Sequence, residues 1–404
     1  MPGGPLERCR RELDALEARH LLRSRLTLDG PQASRVRLEG RELVSFCSND
    51  YLGLANDPRV VDALRRGADR FGVGSGASHL VTGHHRAHAA LELELAEHVG
   101  AQRALTFSTG YMANLALGQV FARRGDLVLE DRLNHASLID AGLSSRAELR
   151  RYAHADAGQA RKILERRNPA RGSGALVVSD AVFSMDGDIA PVKALISVCD
   201  EHDALLALDD AHGLGVHGPG GRGTLAHCGL APVGRVLVMG TLGKALGTFG
   251  AFVAGDDLLI ETLLQTARTY IYTTAIPPAL AEATRTALAI ARREDWRRES
   301  LRALIDRFRD GAGELGLALA ASETPIQPVL VGESVEAVRI SSALRDLGFL
   351  VVAIRPPTVP KGTARLRVTL CADHTPGDVD RLLDALDMVG RGAAGAASVG
   401  GYAG

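Results

Sequence analysis

Short continuous apolar runs recur along the chain: RALTFS at 103–108, DLVLED at 126–131, ALVVSD at 175–180, ALLALDD at 204–210 and RVLVMG at 235–240. Runs of this length bounded by Gly, Asp or Ser are what parallel strands buried on both faces look like. The stretches before and between them are helical in spacing, as in VVDALRRGADRF (60–71) and HAALELELAEHVG (88–100). Alternating strands and helices predict an α/β sheet domain, over 51–288. Upstream, Leu6, Leu13, Leu16 and Leu22 sit among charges at roughly helical intervals, and VRLEGRELVSFCSNDYLGL reads as a strand pair turning at Glu39-Gly40. This is an N-terminal helix and strand arm, 1–50. Beyond Pro277-Pro278 comes an arginine-rich helical stretch, 279–311, and then two strand-like pieces, IQPVLVG and ARLRVTL, flanking the helical EAVRISSALRDLG. They predict a smaller C-terminal α+β domain over 289–390. The Gly/Ala-rich end, 391–404, has almost nothing to bury and is expected to be disordered.

Bulk properties narrow the range of partners. The 404 residues are 46% apolar and 24% charged with a formal net charge of -1. That is ordinary for a soluble globular chain and gives no electrostatic reason to expect nucleic acid or membrane. Five cysteines without a C-x-x-C pair suggest neither a zinc ribbon nor a thioredoxin-type site and fit a reducing cytoplasm. The charged N-terminus lacks the apolar core of a signal peptide, and no stretch supplies the ~20 apolar residues of a membrane span.

In an open parallel sheet, ligands bind at the carboxyl ends of the strands. There the chain carries Asn134-His135-Ala136-Ser137, Phe183-Ser184-Met185-Asp186, Asp209-Asp210-Ala211-His212 and Thr241-Leu242-Gly243-Lys244. Lys244 is the single charge in VLVMGTLGKALGTFGAFVAG. A Walker loop is excluded, because Val238 stands where its first Gly should be and Ala245 follows the lysine. A solvated loop lysine is the competing reading. Small apolar neighbours instead favour desolvation, which lowers an amine's pKa and makes it available for a Schiff base. Asp209 could merely cap a turn. Paired with a strand-end lysine it gains a purpose, because an ionised Asp keeps a pyridine nitrogen protonated, which is the logic of pyridoxal phosphate chemistry. His212 could reach the ring hydroxyl and His135 could lie against the ring. Ser108-Thr109-Gly110-Tyr111 follows a strand and opens a helix, where the free amides of Gly110 and Tyr111 form a phosphate site. Arg355 precedes two prolines, on a stiffened segment suited to holding a carboxylate.

Three other features lead elsewhere. Gly72–Ala77 and Gly213–Gly218 mimic a dinucleotide fingerprint but lack its strand-before, helix-after setting, and read as backbone turns. His79, His84, His85 and His88 cluster without a carboxylate at ligand spacing, so solvated helix-start histidines are expected and no metal site.

Taken together, SNDYLGL, DRLNHASLIDA, VFSMDGD, DDAHGLGV, TLGKALG and AIRPPTVPKGTARLRVTL resemble the α-oxoamine synthase family of fold-type-I pyridoxal phosphate enzymes, from about Leu13 to Leu386. The resemblance implies a fold-type-I transferase with a large mixed, mostly parallel seven-stranded sheet. It implies Lys244 as the lysine that carries pyridoxal 5'-phosphate, Asp209 at the pyridine nitrogen and His135 on the ring. Ser184 and His212 would lie near the ring hydroxyl, with Gly110, Tyr111 and Thr241 around the phosphate. Asn49 and Arg355 resemble an amino-acid carboxylate clamp, Arg23 and Thr358 resemble acyl contacts, and His135 would also meet substrate. It further implies a homodimer with shared sites, in which Thr273 or Thr274 comes from the partner subunit. The RPPTVP segment favours the member that joins L-alanine to a pimeloyl thioester with loss of CO₂ over a glycine-using sibling.

Overall fold

The computed structural model describes residues 4–19, 21–23, 25–167 and 173–399, without the side chains of 391–399. Its centre is a seven-stranded sheet built from β3 (Arg103–Phe107), β4 (Leu127–Asp131), β5 (Glu148–Tyr152), β6 (Ala175–Asp180), β7 (Leu205–Asp209), β8 (Val236–Thr241) and β9 (Ala251–Gly255), with β1 and β2 in the arm described below. The strand order is β3-β9-β8-β7-β6-β4-β5. Only β9 runs against the rest. All five apolar runs are strands. Each is covered on both faces, so in β7 Leu206 and Leu208 join one core while Ala207 joins the other. That two-sided burial is why the runs are continuous rather than alternating.

Two strands of the sheet lie outside those five runs. The polar β5 is an edge strand, with most of its residues half-buried or exposed. The apolar β9 returns antiparallel from β8 through the loop that holds Lys244. Three backbone bonds close that loop: Leu242 N to Gly250 O, Thr248 N to Leu242 O, and Gly247 N to Lys244 O. Gly247 has φ +63°, and a Cβ there would meet the Ala55 amide at 2.2 Å, so the position requires glycine.

In the arm, β1 (Arg35–Leu38) and β2 (Arg41–Ser45) form a hairpin at Glu39-Gly40, both with positive φ. β2 then pairs in parallel with β11 (Phe349–Leu350), so the arm is tied to the C-terminal part of the chain. There β10 (Ile326–Gly332), β12 (Val352–Ile354) and β13 (Ala364–Thr369) form an antiparallel sheet with β13 in the middle. The arginine-rich stretch is two helices, Pro278–Arg293 and Asp295–Glu314, because Glu294 leaves helical geometry at ψ 71°. Two of its arginines turn inward at the break. Arg298 caps the first helix through Ala291 O, and Arg297 reaches Leu52 O and Asp57. The last helix, Pro376–Val399, runs into the Gly/Ala-rich end expected to be disordered, of which 400–404 lie outside the described residues.

The expectation of solvated histidines at the start of a helix is corrected. His79 and His88 are buried, and only His84 is exposed. The helix begins at Arg86, after His79 and His84, with His85 as its cap. His88 accepts from the His85 amide through Nδ1 and donates Nε2–H to Ile276 O, while His79 stacks on Tyr270. Both nitrogens of His88 are therefore engaged. The cluster buttresses the segment that contains Thr273 and Thr274.

A charged bridge joins the end of β4 to the loops that follow β5 and β6. His154 bonds Asp131 through Nδ1 at 3.1 Å and Asp188 through Nε2 at 2.8 Å. These carboxylates, Asp131 first, raise the imidazole from 6.5 to about 10. A folded-state value above the unfolded one means the bridge stabilises fully below about 6.5 and is lost as pH rises through about 10. His154→Gln is expected to lower the melting temperature by about 2–4 °C at pH 6. The gap from the parent should close near pH 10, and calorimetry across that range checks it.

Candidate active site

Strand ends converge on one cleft. It is lined by Gly110, Tyr111, His135, Ser184, Asp209, His212, Thr241 and Lys244, together with Asn114, Ser137, Asp180, Ala211 and Met239. The first eight were expected at the cofactor from the sequence and lie together. Thr109 caps the helix Gly110–Phe121, its side chain accepting from Met112 N at 3.2 Å. The first turn of that helix therefore opens into the cleft with free amides.

Asp209, at the end of β7, is held on both carboxylate oxygens. Oδ1 accepts from Ala211 N at 3.0 Å, and Oδ2 accepts from Asn114 Nδ2 at 2.7 Å. Asn114 is buried, donates also to Ser137 Oγ, and has no partner for its Oδ1. His135 is fixed by its backbone N–H to Asp180 Oδ2 at 2.7 Å and by its ring Nδ1 against Ser137 Oγ at 2.8 Å. Burial lowers the His135 pKa, opposed by Asp209, and burial raises that of Asp180, reinforced by Asp209. A nearly neutral imidazole face thus stands beside a carboxylate pair.

Lys244 Nζ lies 2.8 Å from His212 Nε2. Burial depresses its pKa from 10.5 to about 8, against the pull of Asp209 and Asp180, with Arg367 adding to the depression. The amine is therefore much closer to its neutral, nucleophilic form than an ordinary lysine. Behind it, His212 Nδ1 meets the buried Tyr51 hydroxyl at 2.5 Å.

The remaining expected residues lie outside the lining of this cleft. Asn49 is bonded to Tyr51 and to Arg367, whose guanidinium also holds Ser184 O. Arg355 is half-buried after β12 and its carbonyl accepts from Thr358 N, while Thr358 and Arg23 are exposed. Thr274 pairs with Ser78, and its carbonyl accepts from Ser108 Oγ at 3.3 Å. Thr273 borders a different cleft, beside Arg268. Sequence reasoning missed Asn114, Ser137, Asp180, Tyr51 and Arg367. A signal existed for Asn114, one helical turn after Gly110 on the same face. For Arg367 there was none, because RLRV reads as an alternating strand with solvated arginines.

A lysine near its neutral form, a carboxylate across from it, an imidazole between and a helix start with free amides fit a flat cationic ring that bears a phosphate and an aldehyde. Known proteins agree with that chemistry. The aminotransferase class I and II family matches residues 41–386. The 8-amino-7-oxononanoate synthase of Thioalkalivibrio sulfidiphilus is 57% identical over 94% of this chain and 97% of its own length. That of Hahella chejuensis is 56% identical over 96% and 97%. The structure of a serine palmitoyltransferase from S. paucimobilis, with PLP and myriocin bound, superposes with a TM-score of 0.90 at 29% identity, covering 96% of this chain and 99% of that one.

Proposed function

We propose L-alanine and a pimeloyl thioester as the substrates of this chain, which belongs to the aminotransferase class I and II family and, within it, to the 8-amino-7-oxononanoate synthases of biotin biosynthesis. As a member it is a pyridoxal phosphate-dependent acyltransferase. The observation that carries the residue assignment is Lys244, its pKa lowered to about 8, beside His212 and at the strand end next to Asp209.

When bound, pyridoxal phosphate supplies an electron sink for the electron pair left on an amino-acid Cα. The free amides of Gly110 and Tyr111, with the Thr241 hydroxyl, would hold its phosphate. Asp209 would hold the ring nitrogen, His135 the ring face, and Ser184 with His212 the ring hydroxyl. Lys244 would hold the aldehyde and, once displaced by the amino acid, take the Cα proton. The buried guanidinium of Arg367, pressed on Asn49, makes Asn49 and Arg367 the better-supported clamp for the amino-acid carboxylate. Arg355, Arg23 and Thr358 are left for the acyl substrate. The acyl group joins Cα, the thiol departs, and CO₂ is lost from the product.

The working unit we propose is a cytoplasmic homodimer. Val73, Val81 and Tyr272 stand 86%, 73% and 72% exposed on the loops that hold or neighbour Thr273 and Thr274. Apolar side chains left in solvent this way suit burial against a second copy. That copy would bring Thr273 or Thr274 to the cleft. Five free cysteines are consistent with a reducing compartment.

Thiol release measured with alanine against glycine, and with pimeloyl-CoA against acetyl-CoA, tests the substrates. Turnover is expected with alanine and pimeloyl-CoA, and turnover with glycine alone refutes the assignment.

A further inference from the structure

Behind Lys244 runs a buried file of hydrogen bonds in which one member, Tyr51, has no part in the chemistry assigned above. Lys244 Nζ meets His212 Nε2 at 2.8 Å, and His212 Nδ1 meets Tyr51 Oη at 2.5 Å. Tyr51 Oη lies 3.2 Å from Asn49 Oδ1, and the same oxygen accepts both terminal nitrogens of Arg367, each at 3.2 Å. Tyr51 is wholly buried and His212 nearly so.

The direction of these bonds follows from the inventory of hydrogens. Burial, then the charges of Lys244, Arg367 and His135, hold His212 well below its ordinary pKa, so one ring nitrogen bears a hydrogen and the other a lone pair. Burial pushes the Tyr51 phenol up to about 12, so it keeps its single O–H. Asn49 Oδ1 can only accept. If Tyr51 gives its hydrogen to Asn49, its oxygen accepts Nδ1–H from His212, and Nε2 is left with a lone pair for a Lys244 N–H. The lone pair of the neutral amine then stays free for a substrate proton. If Tyr51 instead donated to Nδ1, Nε2 would carry the hydrogen and cap the lone pair of Lys244. The first direction suits both forms of the lysine, because an ammonium can only donate.

We propose that Tyr51 is a positioning residue, anchored by Asn49 and Arg367, that fixes His212 as the Nδ1–H tautomer and so keeps the lone pair of Lys244 open to the substrate. The role rests on the reading of Lys244 as cofactor lysine and base given above. It separates two duties of the buried file, with Asn49 and Arg367 on the carboxylate side and His212 on the proton side.

The test is ¹⁵N NMR of the full-length chain labelled at histidine and stripped of cofactor, with the His212 signals assigned from their loss in His212→Gln. At pH 7 the parent is expected to show a protonated Nδ1 and an unprotonated Nε2. In Tyr51→Phe the Nδ1 hydrogen loses its acceptor, and an unpaired buried N–H is less tolerable than an unpaired lone pair. The hydrogen is therefore expected to move to Nε2. With cofactor restored, kcat should fall about ten-fold, the cost of breaking the new Nε2–H bond to the lone pair of the reacting amine, with KM for the amino acid nearly unchanged. A parent with hydrogen on Nε2, or a Tyr51→Phe protein that keeps the parent tautomer or its kcat, overturns the proposal. The tautomer is read without substrate or cofactor, so a wrong substrate assignment leaves it unmoved. A wrong lysine assignment shows separately, as cofactor absorbance persisting in Lys244→Ala.

Discussion

Lys244→Ala is expected to abolish the visible absorbance of lysine-bound cofactor and to lower turnover by about 10⁴-fold, the upper range for loss of a general base. Two functions disappear together, the covalent hold on the aldehyde and the acceptor for the Cα proton. The pH profile of the parent should report the same group. An amine with its pKa near 8 is mostly protonated at pH 7, so kcat is expected to rise with pH through about 8 and then level off. The variant should also be slightly more heat-stable than the cofactor-free parent. A lysine whose folded pKa lies below its ordinary 10.5 opposes folding while charged, and that penalty is relieved as pH rises from about 8 toward 10.5. Removing the side chain removes the penalty at neutral pH. Absorbance, a pH–rate profile and a thermal melt together check the assignment, and a variant that kept the absorbance and turnover would sink it.

Asp209→Ala is the second large effect. Its carboxylate is aimed by Ala211 N and Asn114 Nδ2, both donors, whereas the neighbouring carboxyl, Asp180, is held by the His135 amide and raised in pKa by burial, so it is a poor substitute for the charge at the ring. Turnover is expected to fall by about 10²- to 10³-fold, the range for removing one preorganised electrostatic partner of a developing charge. Cofactor affinity should weaken with it. Asn114→Ala should do less, because Asp209 keeps its backbone donor. Cofactor titration and kcat for the two variants decide the order, and an Asp209→Ala protein close to the parent in kcat would remove Asp209 from the chemistry.

Much of the architecture was readable because two-sided burial writes itself as unbroken apolar text. The strands that hold Asp209, Thr241, Asp180 and Asp131 are all of this kind. β5 was unreadable for the converse reason, since an edge strand needs no apolar run. The cleft was legible where a functional residue follows such a run, as Gly110, Tyr111, His135, Asp209, His212 and Lys244 do, while the roles of Ser184 and Thr241 came from the family resemblance. It was not legible where the contact joins distant segments. Tyr51 and His212 are 161 positions apart, and Asn49 and Arg367 are 318 apart. Arg367 looks like a solvent-facing strand residue in the text. It becomes a buried ligand of Asn49 only because the arm lies against the C-terminal sheet. The histidine cluster failed similarly, because burial of His79 and His88 depends on Tyr270 and Ile276, far along the chain.

The parallel pairing of β2 with β11 also has a temporal side. A ribosome that has just delivered Asn49 must add 318 more residues before Arg367 exists, about 15 to 60 s at ordinary elongation rates. Through that interval Tyr51 has no finished surroundings, although the strand that ends in Asp209 and the loop that holds Lys244 are made well before its end. A nascent chain halted before β13 would own the lysine and the aspartate yet have no completed file behind them, so the site is finished only near the last stage of synthesis.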